Sequence, residues 1–212
     1  MDILGASDAE KSLLRLEPVF MWAAATMSQL PPMGANEVAF AGRSNVGKSS
    51  LVNATLNRRG LARASSEPGR TRELIFFSLN DKVGAEYIRI VDLPGYGYAR
   101  ASKTEIARWT SATRDFLKGR TALKRVFVLI DARHGLKPND LEILKELDGA
   151  AVSYQIILTK TDKLKSAELT SLNEKTAAII AKRPAAHPEV MAVSAHNGQG
   201  LQELREEIMS LA

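Results

Sequence analysis

A chain of 212 residues in which 45% of the side chains are apolar is long enough for one α/β domain with a short appendage. The absence of cysteine excludes a disulfide framework, a thiolate metal site and a cysteine nucleophile. A net charge of +5 at pH 7 favours partners that carry phosphate groups, such as nucleic acid.

The first 35 residues are predicted to be an N-terminal extension, and residues 36–212 to form the folded domain. A helix is predicted over residues 8–20, and Pro31-Pro32 breaks structure before the first core strand. The apolar run from Val19 to Met27 is too short to span a bilayer, and the acidic residues before it are wrong for a signal peptide. We therefore expect a soluble cytoplasmic monomer without stable membrane association.

An apolar run over residues 38–41 predicts a buried strand, and the next eight residues match the phosphate-binding pattern G-x-x-x-x-G-K-[ST]. They are Gly42, Arg43, Ser44, Asn45, Val46, Gly47, Lys48 and Ser49. The helix predicted from Ser50 would add the positive end of its dipole, and backbone N–H groups of the loop would point at the phosphates. We expect Ser50 to complete this loop, Lys48 to reach the β- and γ-phosphates and the Ser49 hydroxyl to ligate Mg²⁺.

Basic residues are concentrated in two stretches of the chain. The first comprises Arg58, Arg59, Arg63, Arg70 and Arg72. The second comprises Arg100, Lys103, Arg108, Arg114, Lys118, Arg120, Lys124 and Arg125. Such clusters attract phosphate backbones, but a solvated face with arginines that hold a nucleotide would have the same composition. Charge alone therefore leaves nucleic-acid contact open.

The order of the predicted strands and helices indicates an open α/β sheet. β-rich runs over 74–79 and 87–91 predict a hairpin, and continuous apolar runs over 126–130 and 155–158 predict strands covered on both faces. Helices with core-facing apolar stripes are predicted over 102–117, 138–147, 169–180 and 201–211, and a short last strand over 190–193. We predict a mixed, mainly parallel sheet of about six strands with helices on both faces.

A second nucleotide motif follows the hairpin, where Asp92-Leu93-Pro94-Gly95 matches the pattern D-x-x-G. We expect Asp92 to hold Mg²⁺ through water and the Gly95 N–H to meet a γ-phosphate oxygen. Thr71, which lies between the phosphate loop and Asp92, is a candidate second Mg²⁺ ligand.

The base is predicted from two further strand ends, where Thr159-Lys160-Thr161-Asp162 matches [NT]-K-x-D and Val193-Ser194-Ala195 follows the last strand. The Asp162 carboxylate can accept from both N1–H and the 2-amino group of guanine, whereas adenine offers neither donor. A site built this way rejects the wrong base by about 10⁴–10⁵-fold. The Lys160 stem would lie over the base, and a backbone N–H at Ser194-Ala195 would meet guanine O6. Each match is weak alone, but their order at successive strand ends predicts a guanine-nucleotide site.

Five strings of this chain resemble those of the EngB (YihA/YsxC) family of bacterial GTPases. The residues from Phe40 to Leu51 resemble its phosphate loop, Pro68-Gly69-Arg70-Thr71 its switch I, and the residues from Asp92 to Ala99 its switch II. Asp131 to Leu136 and Leu158 to Lys163 resemble two further strings of the family. Together these strings separate this family from its relatives.

The resemblance covers the chain from about residue 37 to its end and implies a P-loop GTPase domain, so that residues 36–212 would bind GTP and GDP. It places Gly69 and Arg70 beside Thr71 in the nucleotide site. It also implies a GTP hydrolase that assists assembly of the large ribosomal subunit, with that subunit or its precursors, through rRNA, as partner. Intrinsic turnover is predicted to be slow, because the water-orienting amide that follows D-x-x-G in many GTPases is missing. Two alternatives stay open: a GTPase partner of an RNA-modification enzyme, and a GTP-dependent cell-division scaffold, since the family is linked in name to septation.

The route of hydrolysis is not predicted, because Tyr96 stands where many GTPases have the Gln that orients the attacking water. Either a partner such as rRNA completes the site, or a bound cation supplies the missing charge. Asn45 lies where related potassium-activated GTPases place a ligand, so K⁺ is the candidate cation. Tyr96 and Tyr98 either pack the switch segment or stack on RNA bases. The residues expected to support hydrolysis are Lys48, Asn45, Thr71 and Gly95.

Overall fold

The computed structural model describes residues 13–62, 73–96 and 113–212, and these residues form a seven-stranded sheet with helices on both faces. The strands are β1 (Glu17–Ala24), β2 (Glu37–Gly42), β3 (Leu74–Asn80), β4 (Glu86–Asp92), β5 (Leu123–Asp131), β6 (Tyr154–Thr159) and β7 (Met191–Ala192). The helices are α1 (Lys48–Thr55), α2 (described over 113–119), α3 (Pro138–Gly149), α4 (Ser166–Ile180) and α5 (Leu201–Ser210), with a helical turn at 13–15 and short 3-10 helices at Met27–Gln29 and Thr161–Lys163.

The strand order is β1-β3-β4-β2-β5-β6-β7, and β3 runs antiparallel to both of its neighbours. The strands β4, β2, β5, β6 and β7 are parallel to one another. The carboxyl ends of these five strands therefore meet at the same edge of the sheet, which is where ligands bind in open α/β folds.

Two hydrophobic clusters, one on each face of the sheet, hold the helices in place. The helices α2, α3 and α4 pack on one face and α1 and α5 on the other. β5 contributes to both, because Val126 and Val128 point to the first cluster and Phe127 and Leu129 to the second. Strands buried on both faces explain the continuous apolar runs from which they were predicted.

The predicted mixed, mainly parallel sheet and its early hairpin are confirmed, but β1 was not predicted. The helix expected over 8–20 is wrong over 17–20, because these residues pair with β3 in β1. The apolar run in β1 carries no clear period, and its antiparallel partner lies 50 or more residues away in the chain. The sheet therefore has seven strands rather than about six, and the domain boundary at residue 35 stays a prediction.

Three helices over 138–211 are confirmed, although their apolar stripes are not buried throughout. Leu144 and Leu147 are fully buried in α3, whereas Leu141 is 36% exposed, and Ile179 in α4 is 42% exposed. Most of the helix predicted over 102–117 lies outside the described residues. Within the described ranges, none of the helices combines the length and the apolar character needed to cross a membrane.

Candidate functional site

The predicted phosphate loop connects β2 to α1 and has glycines at two positions where a side chain would be unfavourable. A Cβ on Gly42 would lie 2.7 Å from Val46 Cγ1 and 3.1 Å from Leu129 Cβ, so a larger residue would displace the loop or β5. Gly47 has φ of 101°, a conformation that L residues with a side chain rarely adopt. Asn45 is also left-handed, with φ of 65°, and α1 begins directly after the loop, with Leu51 N donating to Gly47 O at 2.8 Å.

Lys48 and Asp92 form an ion pair at the edge where β2 and β4 end. The two strands are parallel neighbours, so the first residue of α1 and the last residue of β4 are brought together. Both side chains are nearly buried, at 12% and 9% exposure, which strengthens the electrostatic field at this point. The Asp92 carboxylate and the Ser49 hydroxyl are hard oxygen donors of the kind that Mg²⁺ prefers, so this pair of residues fits the predicted metal.

The D-x-x-G segment lies against the phosphate loop through backbone contacts. Tyr96 N donates to Gly42 O at 3.1 Å, and Ser44 N donates to Tyr96 O at 3.2 Å. A Cβ on Gly95 would lie 3.3 Å from Ser44 Oγ, so Gly95 sits directly beside the loop. Gly95 and Tyr96 of the predicted switch II are therefore held directly against the phosphate loop.

The Tyr96 side chain is packed in the core between the sheet and α3. It is 5% exposed, and its hydroxyl donates to Asp140 Oδ1 at 2.9 Å. Burial and the adjacent carboxylate raise the pKa of Tyr96, so the phenol stays protonated and remains a donor. In this structure Tyr96 packs the switch segment, and its ring is not available to stack on a base; Tyr98 lies outside the described residues.

The motif over 159–162 is tied to the phosphate loop by two side chains. Thr159 Oγ1 donates to Val46 O at 2.8 Å, and Lys160 Nζ donates to Asn45 O at 2.7 Å. A Cβ on Gly47 would lie 3.5 Å from Lys160 Cε, so the lysine stem runs along the loop. The structure thus brings together two motifs that are more than 100 residues apart in the chain.

Asp162 and Ser194 meet at the ends of β6 and β7. Ser194 Oγ donates to Asp162 Oδ1 at 2.7 Å, and Lys163 Nζ lies 3.3 Å from Asp162 Oδ2. The serine hydrogen bond, aided by Lys163, holds the pKa of Asp162 below its ordinary value, so the carboxylate is ionised and accepts hydrogen bonds. The backbone N–H of His196 also reaches Ser194 Oγ, at 3.2 Å, which orients the hydroxyl.

The motifs that were predicted separately therefore line one edge of the sheet, except for the Gly69-Arg70-Thr71 segment, which lies outside the described residues. Sequence reasoning assigned no role to Asp131 or Asp140. Asp131 ends β5 at the same edge and pairs with Lys160, and its position directly after a buried strand was a usable signal. Asp140 in α3 had no such signal, because its partner Tyr96 is identified only by packing.

The comparisons with known proteins agree with this arrangement. The family model described as 50S ribosome-binding GTPase matches residues 37–160. The chain is 57% identical over 192 residues to the "Probable GTP-binding protein EngB" of Rhodopseudomonas palustris (strain TIE-1), which covers 91% of this chain and 88% of that protein.

Two solved structures have the same architecture. A crystal structure of a probable GTP-binding protein EngB has a TM-score of 0.61 at 24% identity, covering 82% of this chain and 97% of that one. The structure of Era in complex with MgGDPNP and nucleotides 1506–1542 of 16S ribosomal RNA has a TM-score of 0.67 at 26% identity, covering 85% of this chain and 57% of that one. The relatives and the fold thus point to the same class of protein as the strand-end motifs.

Proposed function

This chain belongs to the EngB family of GTP-binding proteins and is a GTPase, and from that premise we propose that it acts as a slow nucleotide-dependent switch in the assembly of the large ribosomal subunit. The observation that carries the ribosomal part is the match of residues 37–160 to the model described as 50S ribosome-binding GTPase. The Era structure, a neighbour at 26% identity, contains ribosomal RNA, which supports RNA as the class of partner.

In this proposal the nucleotide phosphates lie in the loop over 42–50, at the N-terminus of α1. Lys48, which pairs with Asp92, would turn to the phosphates when they provide a stronger negative charge. Ser49 and Asp92 would hold Mg²⁺, and this ion would neutralise charge on the phosphates during transfer. Gly95, next to Ser44, would donate its N–H to a γ-phosphate oxygen, so the segment after it would depend on whether the γ-phosphate is present.

Guanine is read at the other end of the same edge. The ionised Asp162 carboxylate accepts from the two donors of the base, and Ser194 holds that carboxylate in place from the neighbouring strand end. The Lys160 stem covers the base while its ammonium stays on the phosphate loop. Base and phosphate recognition are thus connected through one side chain.

Turnover is expected to be slow because no described residue after D-x-x-G offers a water-orienting amide. The Tyr96 hydroxyl donates to Asp140, and the side chain is buried, so it presents no exposed group that could orient a water molecule. Two routes to a complete site remain: a group supplied by an rRNA partner, or a cation such as K⁺ held near Asn45. A comparison of hydrolysis rates in KCl and NaCl separates them.

The switch logic follows from the γ-phosphate, which only the GTP form carries. Thr71 and Gly95 would contact it, and its loss would release the segments near 58–72 and 95–110 that carry many of the basic residues. GTP would therefore order a basic surface that binds an rRNA site, and hydrolysis would weaken that surface.

Co-sedimentation with 50S subunits and their precursors tests this function. The protein is incubated with GDP or with a non-hydrolysable GTP analogue, at low and at moderate salt. Binding that requires the analogue and survives moderate salt is expected, because specific contacts depend less on salt than purely ionic ones. The control is Lys48→Ala, which should bind neither nucleotide and should show no difference between them. Equal binding with both nucleotides, lost at moderate salt, would contradict the proposal.

A further inference from the structure

Asp131, the last residue of β5, holds the ammonium group of Lys160. The Lys160 Nζ to Asp131 Oδ2 distance is 3.0 Å, and the Asp131 side chain is only 13% exposed. A partly buried carboxylate at this distance makes a charge-assisted hydrogen bond, which is stronger than one between neutral groups. β5 and β6 are parallel neighbours in which Asp131 is aligned with Thr159, so the sheet itself positions this contact.

Without Asp131, the Lys160 side chain would have fewer contacts to fix its position. Lys160 is in the left-handed region, with φ of 57°, and its long flexible side chain loses rotational freedom when it is ordered. Its ammonium has two acceptors in the structure, Asn45 O at 2.7 Å and Asp131 Oδ2. The carboxylate is the charged one of the two, and it keeps the ammonium at the phosphate loop.

Arg133 holds the carboxylate from the solvent side. Arg133 Nε and Nη2 donate to Asp131 Oδ1 and Oδ2 at 2.9 and 2.7 Å, and the Arg133 side chain is 45% exposed. Burial alone would raise the pKa of Asp131, but the hydrogen bonds from Arg133 and Lys160 keep it well below the ordinary value. The group therefore stays charged through the whole working range of pH.

We propose that Asp131 is a positioning residue for the guanine nucleotide and acts through Lys160, by fixing the lysine stem over the base and its ammonium on the phosphate loop. The inference rests on the proposed function, which assigns Lys160 to the base. It gives a role to a residue that neither touches the phosphates nor belongs to the [NT]-K-x-D motif.

The test is the dissociation rate of a fluorescent GDP from four proteins: wild type, Asp131→Ala, Lys160→Met and the double variant. Lys160→Met keeps the apolar stem and removes the ammonium. Each single variant should release GDP about tenfold faster, the size expected for one charge-assisted hydrogen bond. The double variant should be no faster than Lys160→Met, because Asp131 has nothing left to act on.

Two further variants distinguish positioning from general damage to the fold. Asp131→Asn keeps an oxygen acceptor for Lys160 without the charge, so it should restore part of the lost residence time. Arg133→Ala removes an exposed ion pair on the same carboxylate and should change the rate by about twofold or less, because exposed pairs contribute little. Both effects should disappear in the Lys160→Met background.

Additive effects of Asp131→Ala and Lys160→Met would overturn the inference, as would an Asp131→Ala protein that releases GDP at the wild-type rate. If Asp131→Ala fails to fold, the same comparison is made with Asp131→Asn. Failure of the proposed function gives different results: a wrong base assignment would show as a wild-type protein that does not prefer GDP to ADP, and a wrong ribosomal role would show only in the co-sedimentation experiment.

Discussion

At the scale of single residues, the proposed guanine site depends on the Asp162 carboxylate, which is oriented by its neighbour Ser194. Ser194 donates to Asp162 at 2.7 Å and helps to keep the pKa of that carboxyl below its ordinary value. The acceptor is therefore charged and oriented before any base arrives. Such preorganisation reduces the loss of conformational freedom on binding.

Asp162→Asn should reverse the choice of base. An amide can accept from N1–H and donate to the 2-oxo group of xanthine, whereas it leaves the 2-amino group of guanine facing another donor. We expect the affinity for GDP to fall at least about a hundredfold, because a buried polar group without a partner is strongly penalised. Xanthosine diphosphate (XDP) should then compete better than GDP when displacement of a fluorescent nucleotide is measured.

Asp148→Asn is the matched control, because Asp148 is an aspartate bonded to Arg183 and Tyr154 away from the strand ends of the site. The same chemical change there should leave the ratio of GDP to XDP affinity unaltered. An Asp162→Asn protein that keeps the wild-type preference would contradict the assigned base contact.

At the scale of elements, the segment after β4 is held by both the phosphate loop and α3. Its backbone bonds join it to Gly42 and Ser44, and the Tyr96 hydroxyl joins it to Asp140 near the start of α3. Lys137 N donates to the other oxygen of Asp140 at 2.8 Å, so that carboxylate also caps the helix. The segment is therefore connected directly both to the phosphate loop and to the first turn of α3.

Tyr96→Phe should weaken this connection without slowing hydrolysis. The loss of the hydroxyl leaves a buried Asp140 oxygen without its donor, which should lower the free energy of unfolding by about 1–3 kcal/mol. The single-turnover rate of GTP hydrolysis should stay within about threefold of wild type, because the hydroxyl is buried against Asp140. Chemical denaturation and a quenched GTP hydrolysis assay measure the two quantities.

Tyr154→Phe provides the control, since Tyr154 makes a similar bond to Asp148 at 3.2 Å outside the nucleotide site. Both variants should be less stable and both should hydrolyse GTP at a similar rate. If Tyr96→Phe were tenfold slower while Tyr154→Phe were normal, the tyrosine hydroxyl would have a direct part in hydrolysis and our interpretation would be wrong.

At the scale of the whole molecule, a buried cluster of charges joins distant parts of the chain at the edge opposite the nucleotide motifs. Glu37, at the start of β2, accepts from Arg120 at 2.6 Å and lies 3.3 Å from Arg89 in β4. The two arginines also donate to the carbonyl oxygens of Pro31 and Pro32. The cluster therefore attaches the segment that leads in from β1 to the centre of the sheet.

Glu37→Gln should be strongly destabilising, because it leaves two nearly buried guanidinium groups with less compensating charge. The expected loss is about 3–5 kcal/mol in the free energy of unfolding, the range found when one partner of a buried ion pair is removed. Urea denaturation in the presence and absence of GDP measures it. A loss below about 1 kcal/mol would show that the cluster contributes little.

Glu86→Gln is the comparison, because Glu86 binds the same Arg89 at 2.7 Å but is 25% exposed, so its loss should cost less. The hydrogen bond from Arg89 lowers the pKa of Glu86 from 4.5 despite partial burial. A carboxyl whose pKa is lower in the folded than in the unfolded state stabilises the protein at pH values above its unfolded-state pKa. This stabilisation is lost as the pH falls through the folded-state pKa. The difference from wild type should therefore be present at pH 7 and vanish in acid.

By itself, the sequence determined the features that depend on neighbours in the chain. The loop over 42–49 could be predicted because its glycines, lysine and serine act at set spacings after one strand and before one helix. The same holds for Asp92 and Asp162, each of which directly follows or nearly follows an apolar strand. The parallel sheet then places these strand ends together, so the order of the motifs predicted both the fold and the guanine site.

Only the tertiary structure decided which distant side chains became partners. Residues 17–24 form β1 because they pair with the edge of β3, and the sequence of these residues alone does not indicate that partner. Tyr96 bonds to Asp140 because α3 packs against the segment after β4. Asp131 pairs with Lys160 because β5 lies beside β6. These contacts depend on which elements become neighbours in space, and no local spacing of residues carries that information.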